Sequence, residues 1–296
     1  MSERALPAPT PDAAWRALRD AAAAPYRRAG RFAWHFARGK LGRDPVFRAL
    51  LERGELDGRD RHGDRHGDRH GDRQGDRQGD MGGAPHRDPR RDPHRTAHGA
   101  RVVDIGCGQA LLASLLQACA DAEREGRWPA AWPAAPRAAS YLGIELMPRD
   151  VARAQAALAD CALAPRLACA DMRAAALPPC ELVVVLDVLH YVDHAAQAAL
   201  LARVRDALRA GHGDGRLLLR VGDAGAQRAY RASQWVDRVV TWSRGHRLPP
   251  TWGRTLADWV ALLQSLGFAV RTQPMSRGTP FANVLLVADL AAPART

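Results

Sequence analysis

Four acidic residues stand at the ends of short apolar runs, where their carboxylates could bind a cationic ligand. They are Asp104, Glu145, Asp171 and Asp187. Ligands of open α/β sheets bind outside the carboxyl ends of the strands, so these four side chains would gather along one edge. A single acid in such a place can simply cap the next helix, because its oxygen accepts a hydrogen bond from the first turn. Four in succession favour one shared site.

The first of these acids belongs to the segment VVDIGCGQ, in which a predicted strand is followed by a glycine turn and a helix. Gly106 and Gly108 have no Cβ, so the backbone there can approach a ligand closely. The dinucleotide phosphate fingerprint needs a third glycine, where this sequence has Leu111. An acid next to the turn would also repel a pyrophosphate. The pattern therefore favours a positively charged ligand without phosphates over a nicotinamide dinucleotide.

This set of motifs resembles the class I S-adenosylmethionine-dependent methyltransferases over roughly residues 100 to 290. The resemblance implies S-adenosyl-L-methionine as the cofactor. It implies the following cofactor-binding residues: Asp104, Gly106, Cys107, Gly108, Glu145, Leu146, Asp171, Met172 and Asp187. In this reading the glycine turn and Asp187 lie beside the methionine part, and Glu145 accepts hydrogen bonds from the ribose. Asp171 and Met172 contact the adenine.

One spacing departs from the family pattern. Asp104 and Glu145 are about forty residues apart, whereas related folds place the ribose-binding acid about twenty residues after the glycine turn. The excess lies in residues 125–137, which are rich in Pro and Trp and are predicted to form an inserted surface loop. If this segment were part of the fold instead, the ribose assignment of Glu145 would fail.

The candidate catalytic residues are His190 and Tyr191, just beyond the fourth predicted strand. Methyl transfer from a sulfonium is an in-line displacement, for which the protein mainly supplies alignment. A base is needed only where the acceptor must lose a proton. His190 could be that base or a packed residue that supports the cofactor loop, and His194 is expected to open the next helix.

Residues 224–252 interrupt the predicted fold with several Trp and Arg residues. In methyltransferases of this type such an insertion often builds the acceptor pocket together with N-terminal helices. Its composition indicates a small hydrophobic or aromatic acceptor in secondary or lipid-like metabolism, either free or bound to an acyl carrier protein. The alternative is that the segment packs its Trp side chains on the sheet edge. The alternative function is a non-catalytic cofactor-binding module of the same fold.

Apolar runs alternating with Ala-rich helical stretches predict a doubly wound α/β fold. We expect a mostly parallel, seven-stranded sheet with an antiparallel last strand, a Rossmann-like methyltransferase fold, plus N-terminal helices. The predicted organisation is an N-terminal helical cap at 1–56, a low-complexity disordered linker at 57–98, the methyltransferase domain at 99–290 with its acceptor-side insertion, and a tail at 291–296.

Composition bounds the remaining possibilities. The chain has 43 Lys+Arg against 32 Asp+Glu, yet it has no basic block or nucleic-acid motif, so we expect no nucleic-acid partner. The basic cap would suit an acidic carrier protein and, at most, peripheral membrane contact. Five cysteines without a C-x-x-C pair argue against a disulfide framework and a metal site. Without a signal peptide or spanning segment, a cytoplasmic location is expected. The oligomeric state is not predicted.

Overall fold

The computed structural model describes residues 10–57, 99–211, 214–225, 251–276 and 283–290. Nearly all of the predicted linker, residues 226–250 of the predicted insertion, and the predicted tail lie outside the described residues.

Seven strands form one sheet in the order β3-β2-β1-β4-β5-β7-β6. Only β7 runs antiparallel, and it pairs with both β5 and β6. The strands are β1 (Ala100–Ile105), β2 (Ala138–Glu145), β3 (Arg166–Cys169), β4 (Leu182–Leu186), β5 (Arg216–Gly222), β6 (Phe268–Pro274) and β7 (Asn283–Leu290). This order confirms the predicted fold class.

The strands sit where the apolar pattern places them. The run that forms β4 is buried on both faces, as expected for a central parallel strand. In β5, Leu217 and Leu219 face one hydrophobic cluster and Leu218 faces the other. Alternate side chains of a strand point to opposite faces, so both layers of helices pack against the same short strands.

Seven α-helices cover the sheet within the described residues. They are α1 (Pro11–Ala23), α2 (Arg31–Arg43), α3 (Pro45–Glu52), α4 (Leu111–Arg124), α5 (Pro148–Ala157), α6 (His194–Ala210) and α7 (Leu256–Ser265). Caps define several starts: the Asp193 side chain accepts from the Ala196 N–H, and Thr255 and Asp258 form a capping box before α7. As predicted, α6 begins at His194.

The N-terminal cap shares one core with the sheet. Trp15 and Leu18 of α1 belong to the same hydrophobic cluster as Leu112 and Leu116 of α4. Helix α4 is buried along nearly its whole length, because α1 covers the side that faces away from the sheet.

Helix α2 packs small side chains against the core. Ala33, Ala37 and Leu41 face the core, while Phe32 is exposed. Its ring instead stacks on Phe36 and lies 4.5 Å below the guanidinium of Arg153 from α5. Alanine stripes let the helix approach its neighbours closely, and the larger rings remain outside.

Candidate functional site

The glycine turn joins β1 to α4 at the carboxyl edge of the sheet. Gly106 has φ +73°, and a Cβ there would clash with Val188, which follows β4. Gly108 has φ +55°, and a Cβ built there would meet no atom within 4 Å. The first glycine is thus required by close packing between strand ends, and the second leaves open space beside its backbone.

Asp104 is a buried carboxylate with a neutral partner. Its Oδ2 accepts a hydrogen bond from the hydroxyl of Tyr141, a buried residue of β2. Burial raises the pKa of Asp104 to about 7; the Tyr141 hydrogen bond opposes this, and the charge of Glu145 adds to it. Burial also raises the pKa of Tyr141, so the phenol remains a hydrogen-bond donor.

Glu145 ends β2 and turns its carboxylate toward the glycine turn. Its Oε2 accepts from the Gly108 N–H at 2.9 Å, and its Oε1 accepts from the Met147 N–H at 2.8 Å. Within the part of the chain that the structure describes, neither Asp104 nor Glu145 forms an ion pair with Lys or Arg. Among the described residues, the carboxyl groups at these two neighbouring strand ends therefore have no cation to offset a negative charge.

The long spacing before Glu145 is absorbed by the predicted loop. Residues 125–137 connect α4 to β2 and contain no helix or strand, so β2 still lies beside β1 in parallel register. The loop is more packed than a surface loop was expected to be. Trp128 and Trp132 meet edge to face at 5.5 Å, the Trp128 Nε1–H donates to the Pro133 carbonyl at 2.8 Å, and Trp132 is buried.

Three further residues of the predicted cofactor set surround the same edge. Leu146 is 61% exposed, although it is apolar. Cys107 packs its Sγ close to Gly143, and burial raises the pKa of its thiol, so it is not a reactive thiolate. Met172 lies three positions beyond the end of β3 and packs partly against the second cluster.

The remaining two acids are engaged with arginines. Asp171 binds the Arg173 guanidinium and its backbone N–H, and the Arg173 hydrogen bond lowers the pKa of Asp171. Asp187 has a left-handed backbone with φ +60° and binds Arg220 of β5 through both carboxylate oxygens. The four acids share the carboxyl edge as predicted, but only two of them remain without a cationic partner in the described residues.

His190 and Tyr191 lie in a short 3-10 helix, Leu189–Tyr191, directly after β4. Their rings contact each other, with centroids 4.1 Å apart. The His190 carbonyl accepts from the Trp252 N–H at 2.8 Å. This contact fixes the candidate catalytic segment against the chain just before α7.

The side chain of Gln197 holds the turn after β4 in place through hydrogen bonds. It is fully buried, and its Nε2 donates to the carbonyl oxygens of Leu189, Val192 and Trp252. Its Oε1 accepts from Arg254 at 2.8 Å. One amide thus joins the turn after β4 to the segment before α7, because a glutamine side chain both donates and accepts.

Sequence reasoning overlooked several residues that shape the site: Tyr26, Tyr141, Gly143, Gln197 and Arg220. Two of them carried a readable signal. A glycine inside an apolar strand indicates close approach of another group, and a Cβ at Gly143 would lie 2.7 Å from the Cys107 Sγ. An arginine inside an apolar strand, as at Arg220, indicates buried carboxylate partners. Tyr26, Tyr141 and Gln197 make contacts that no local sequence pattern predicts.

Among the described residues, no group of three or more His, Cys, Asp or Glu residues could hold a metal ion. No helix in the described ranges is both long and apolar enough to cross a membrane. All five cysteines are free thiols.

Comparisons with solved structures find methyltransferases. Magnesium protoporphyrin IX methyltransferase (ChlM) from Synechocystis PCC 6803, with bound S-adenosylhomocysteine, has 20% identity and a TM-score of 0.45 over 67% of this chain and 77% of that chain. The mitomycin 7-O-methyltransferase MmcR has 22% identity and a TM-score of 0.45 over 64% and 49%. The O-methyltransferase NcsB1 from neocarzinostatin biosynthesis has 24% identity and a TM-score of 0.43 over 64% and 48%. The match therefore spans about half the length of the latter two.

No curated protein sequence matches the chain significantly. Residues 142–269 match the family model of the O-methyltransferase domain, a range from the middle of β2 to the start of β6. The match contains Glu145, Asp171, Asp187, His190 and Tyr191, and it confirms the predicted methyltransferase class. The chain is therefore similar to the O-methyltransferase domain over residues 142–269, and its strand order is the one expected for a Rossmann-like methyltransferase fold.

Proposed function

We propose that this protein transfers a methyl group from S-adenosyl-L-methionine to an oxygen of a small hydrophobic or aromatic acceptor. The observation that carries the proposal is the pair Asp104 and Glu145, two neighbouring carboxylates that receive only neutral donors in the described residues. Uncompensated charge in a buried place is costly, so it is typical of a site that awaits a cation. The match to an O-methyltransferase domain supports oxygen as the accepting atom.

The residues present fit this cofactor. The buried Asp104 carboxylate would receive a charged amino group, and Glu145 would receive the ribose hydroxyls. The open space beside Gly108 leaves room for the ligand, and the exposed Leu146 offers an apolar surface to a base. Asp171 and Met172 would contact that base from the end of β3. When bound, the cofactor supplies a methyl group that is already activated by its sulfonium.

The chain itself would align the acceptor, exclude water and take up a proton. A hydroxyl acceptor loses its proton during transfer, which gives a role to a nearby base. We assign that role to His190, with Tyr191 packed on its ring, because both follow β4 at the edge where Asp104 lies. Gln197 and the Trp252 N–H hold this segment in place, so the base would be positioned before the acceptor arrives.

The acceptor class is inferred from exposed apolar side chains. Three large hydrophobic residues are exposed in the described parts of the chain: Phe32, Leu146 and Trp252. Leu146 follows β2 on the side proposed for the cofactor base, whereas Trp252 contacts the turn after β4, where the acceptor would lie. Exposed apolar groups around a polar site favour a hydrophobic or aromatic acceptor. We also propose that the basic cap would accommodate an acceptor carried by an acidic protein.

Calorimetry with S-adenosylhomocysteine tests cofactor binding in the full-length protein. We expect micromolar affinity, and we expect Glu145→Gln to weaken it about tenfold, since a charge-assisted hydrogen bond is lost. The matched control is Glu181→Gln. Glu181 lies at the opposite edge of the sheet and is bound by Arg101. Absence of binding by the wild-type protein, or equal effects of the two variants, would contradict the proposed site.

A turnover assay separates the enzyme from a non-catalytic module. The protein is incubated with methyl-labelled cofactor and a panel of phenols and hydroxylated aromatic acids, and label transfer is followed by mass spectrometry. His190→Ala should reduce transfer to phenols about a hundredfold with little change in cofactor affinity, because general-base catalysis contributes at this level. Cofactor binding without transfer to any hydroxyl acceptor would favour the non-catalytic module.

A further inference from the structure

Four alternating charges connect the N-terminal cap to the site. Arg220 lies between two carboxylates: it binds Asp187 after β4 and Asp44 at the start of α3. Lys40 of α2 completes the cluster, with its Nζ 2.7 Å from Asp44 and 4.0 Å from Asp187. Two positive and two negative side chains therefore meet at the carboxyl edge, and their charges sum to zero. We call these four residues the edge cluster.

Asp44 and Arg220, the two buried members of the edge cluster, stay ionised. The Arg220 side chain is 2% exposed. Burial alone would raise the pKa of Asp44, but the hydrogen bonds and charges of Arg220, aided by Lys40, outweigh it and hold this pKa well below its usual value. The positive charge of Arg220 is likewise stabilised by the two carboxylates around it. Any substitution that changes one charge therefore leaves a net charge at this edge.

A net charge here matters because the two forms of the cofactor differ by one charge. S-adenosylmethionine carries a sulfonium, and its product S-adenosylhomocysteine carries a neutral thioether. Asp187 is the member of the edge cluster that the resemblance to methyltransferases would place beside the methionine part of the cofactor. An uncompensated Asp187 would hold the cation strongly, and a cluster with excess positive charge would repel it, since charges interact strongly where water is partly excluded.

We propose that Lys40, Asp44 and Arg220 set the preference of the site for the cationic cofactor over its neutral product by balancing the charge of Asp187. This inference rests on the proposed function. It assigns a functional task to two residues of the N-terminal cap, far from the methyltransferase motifs in sequence. Because the cluster is neutral, the charge of Asp187 would not make the site bind the cationic cofactor excessively tightly. The ratio of affinities for the cofactor and its product would therefore depend on cap residues as well as on the glycine turn.

A second cluster of the same kind provides the control. Arg216, four residues earlier on β5, is also 2% exposed and binds Asp289 of β7 and Glu55 of the cap. Arg271 of β6 contacts both of these carboxylates at 3.3 Å. This far cluster lies at the amino end of β5. It therefore joins cap to sheet with similar charges, without bordering the site.

The experiment measures the dissociation constants of both cofactor forms by calorimetry for four full-length proteins: wild type, Lys40→Met, Asp44→Asn and Arg271→Met. Lys40 and Arg271 are matched, since their side chains are 39% and 37% exposed. Asn can still accept the capping hydrogen bond that Asp44 accepts at the start of α3. The readout is the ratio of the product constant to the cofactor constant, which a loss of stability shared by both complexes does not change.

Lys40→Met leaves the edge cluster with one excess negative charge, so the ratio should rise about threefold. Asp44→Asn leaves one excess positive charge, so the ratio should fall by a similar or larger factor. Arg271→Met should leave it at the wild-type value. Opposite shifts in the two cap variants would support the inference. The inference would be overturned, while the proposed function stands, if the ratio were unchanged in either cap variant. Shifts in the same direction in both cap variants, or an equal shift in Arg271→Met, would overturn it as well. Failure of the wild-type protein to bind either form would overturn both.

Discussion

The two edges of the sheet treat buried charge differently. At the amino edge, carboxylates are matched by arginines: Glu181 binds the Arg101 side chain and backbone N–H, and Arg216 binds both Glu55 and Asp289. At the carboxyl edge, Asp104 is buried against a phenol and Glu145 against two backbone N–H groups. The amino-edge carboxylates are thus paired with arginines, whereas at the carboxyl edge only Asp171 and Asp187 are paired in this way, and Asp104 and Glu145 have no cationic partner among the described residues.

The difference separates stability from function. A buried ion pair is tolerable because each partner offsets the desolvation of the other, whereas a lone buried carboxylate raises the free energy of the folded state. An unpaired buried carboxylate is typical of a place where a ligand supplies the missing positive charge. Substitutions at the amino edge should therefore change stability alone, and substitutions at the carboxyl edge should change binding.

The largest effect is expected at the amino edge. Arg216→Met leaves the buried carboxylates of Glu55 and Asp289 without their main cation, so the free energy of unfolding should fall by about 3–5 kcal/mol. Urea unfolding followed by circular dichroism measures this loss. Affinity for S-adenosylhomocysteine, measured under conditions where the variant is folded, should match the wild type. If Arg216→Met kept its stability but bound S-adenosylhomocysteine poorly, the proposed division between a stabilising amino edge and a ligand-binding carboxyl edge would be contradicted.

At the carboxyl edge, Asp104→Asn should lower ligand affinity while it raises stability. Affinity for S-adenosylhomocysteine should fall about tenfold to a hundredfold, because a charged hydrogen bond to the amino group is lost. The unfolding midpoint at pH 8 should rise, since the variant no longer buries an unpaired carboxylate. Asp289→Asn is the matched change at the amino edge, where stability should fall and affinity should persist. A drop in both stability and affinity for Asp104→Asn would contradict this account.

The same carboxylate predicts how binding depends on pH. The pKa of Asp104 is raised from 3.8 to about 7, so its ionisation favours the unfolded chain. The folded state therefore loses stability as pH rises from about 4 to 7. A cationic ligand favours the ionised form, so affinity should decline below about pH 7, by up to tenfold per pH unit. Calorimetry at pH 6 in buffers of different ionisation enthalpy should show proton release on binding. Asp104→Asn should show neither effect.

The fold and the four acids could be predicted because their signals are local. Short apolar runs, a glycine turn and an acid at each strand end are readable within a few residues, and parallel strands then bring those ends together. The inserted loop at 125–137 did not disturb Glu145, because an extra surface connection leaves the register of β1 and β2 intact.

The charge state of the site could not be predicted in this way. Whether Asp187 is free or bound depends on Arg220 and Asp44, which are 176 residues apart in the sequence. Tyr26 and Gln109, 83 residues apart, also meet only in the folded chain. Periodicity places side chains on a face, but it does not tell which distant residue lies opposite. Partners brought by the cap were therefore missed, although the cap itself was predicted.

The smallest expected effect tests whether the cap acts on the glycine turn. The Tyr26 hydroxyl donates to the Gln109 carbonyl at 2.6 Å, just after Gly108, and Ser114 donates to the Ala22 carbonyl at 2.7 Å, one turn further along α4. Tyr26→Phe and Ser114→Ala each remove one buried hydrogen bond between cap and α4, so each should lower the free energy of unfolding by about 1 kcal/mol.

Only the first bond borders the site, so only Tyr26→Phe should weaken binding of S-adenosylhomocysteine, by about threefold, because the backbone around Gly108 loses a restraint next to the carboxylate of Glu145. Calorimetry on both variants at pH 8, where Asp104 is mostly ionised, isolates this effect from protonation. Equal affinities in the two variants would mean that the cap contributes to the glycine turn only through overall stability. A loss of affinity in Tyr26→Phe alone would show that a residue of the N-terminal cap contributes to ligand binding through the glycine turn.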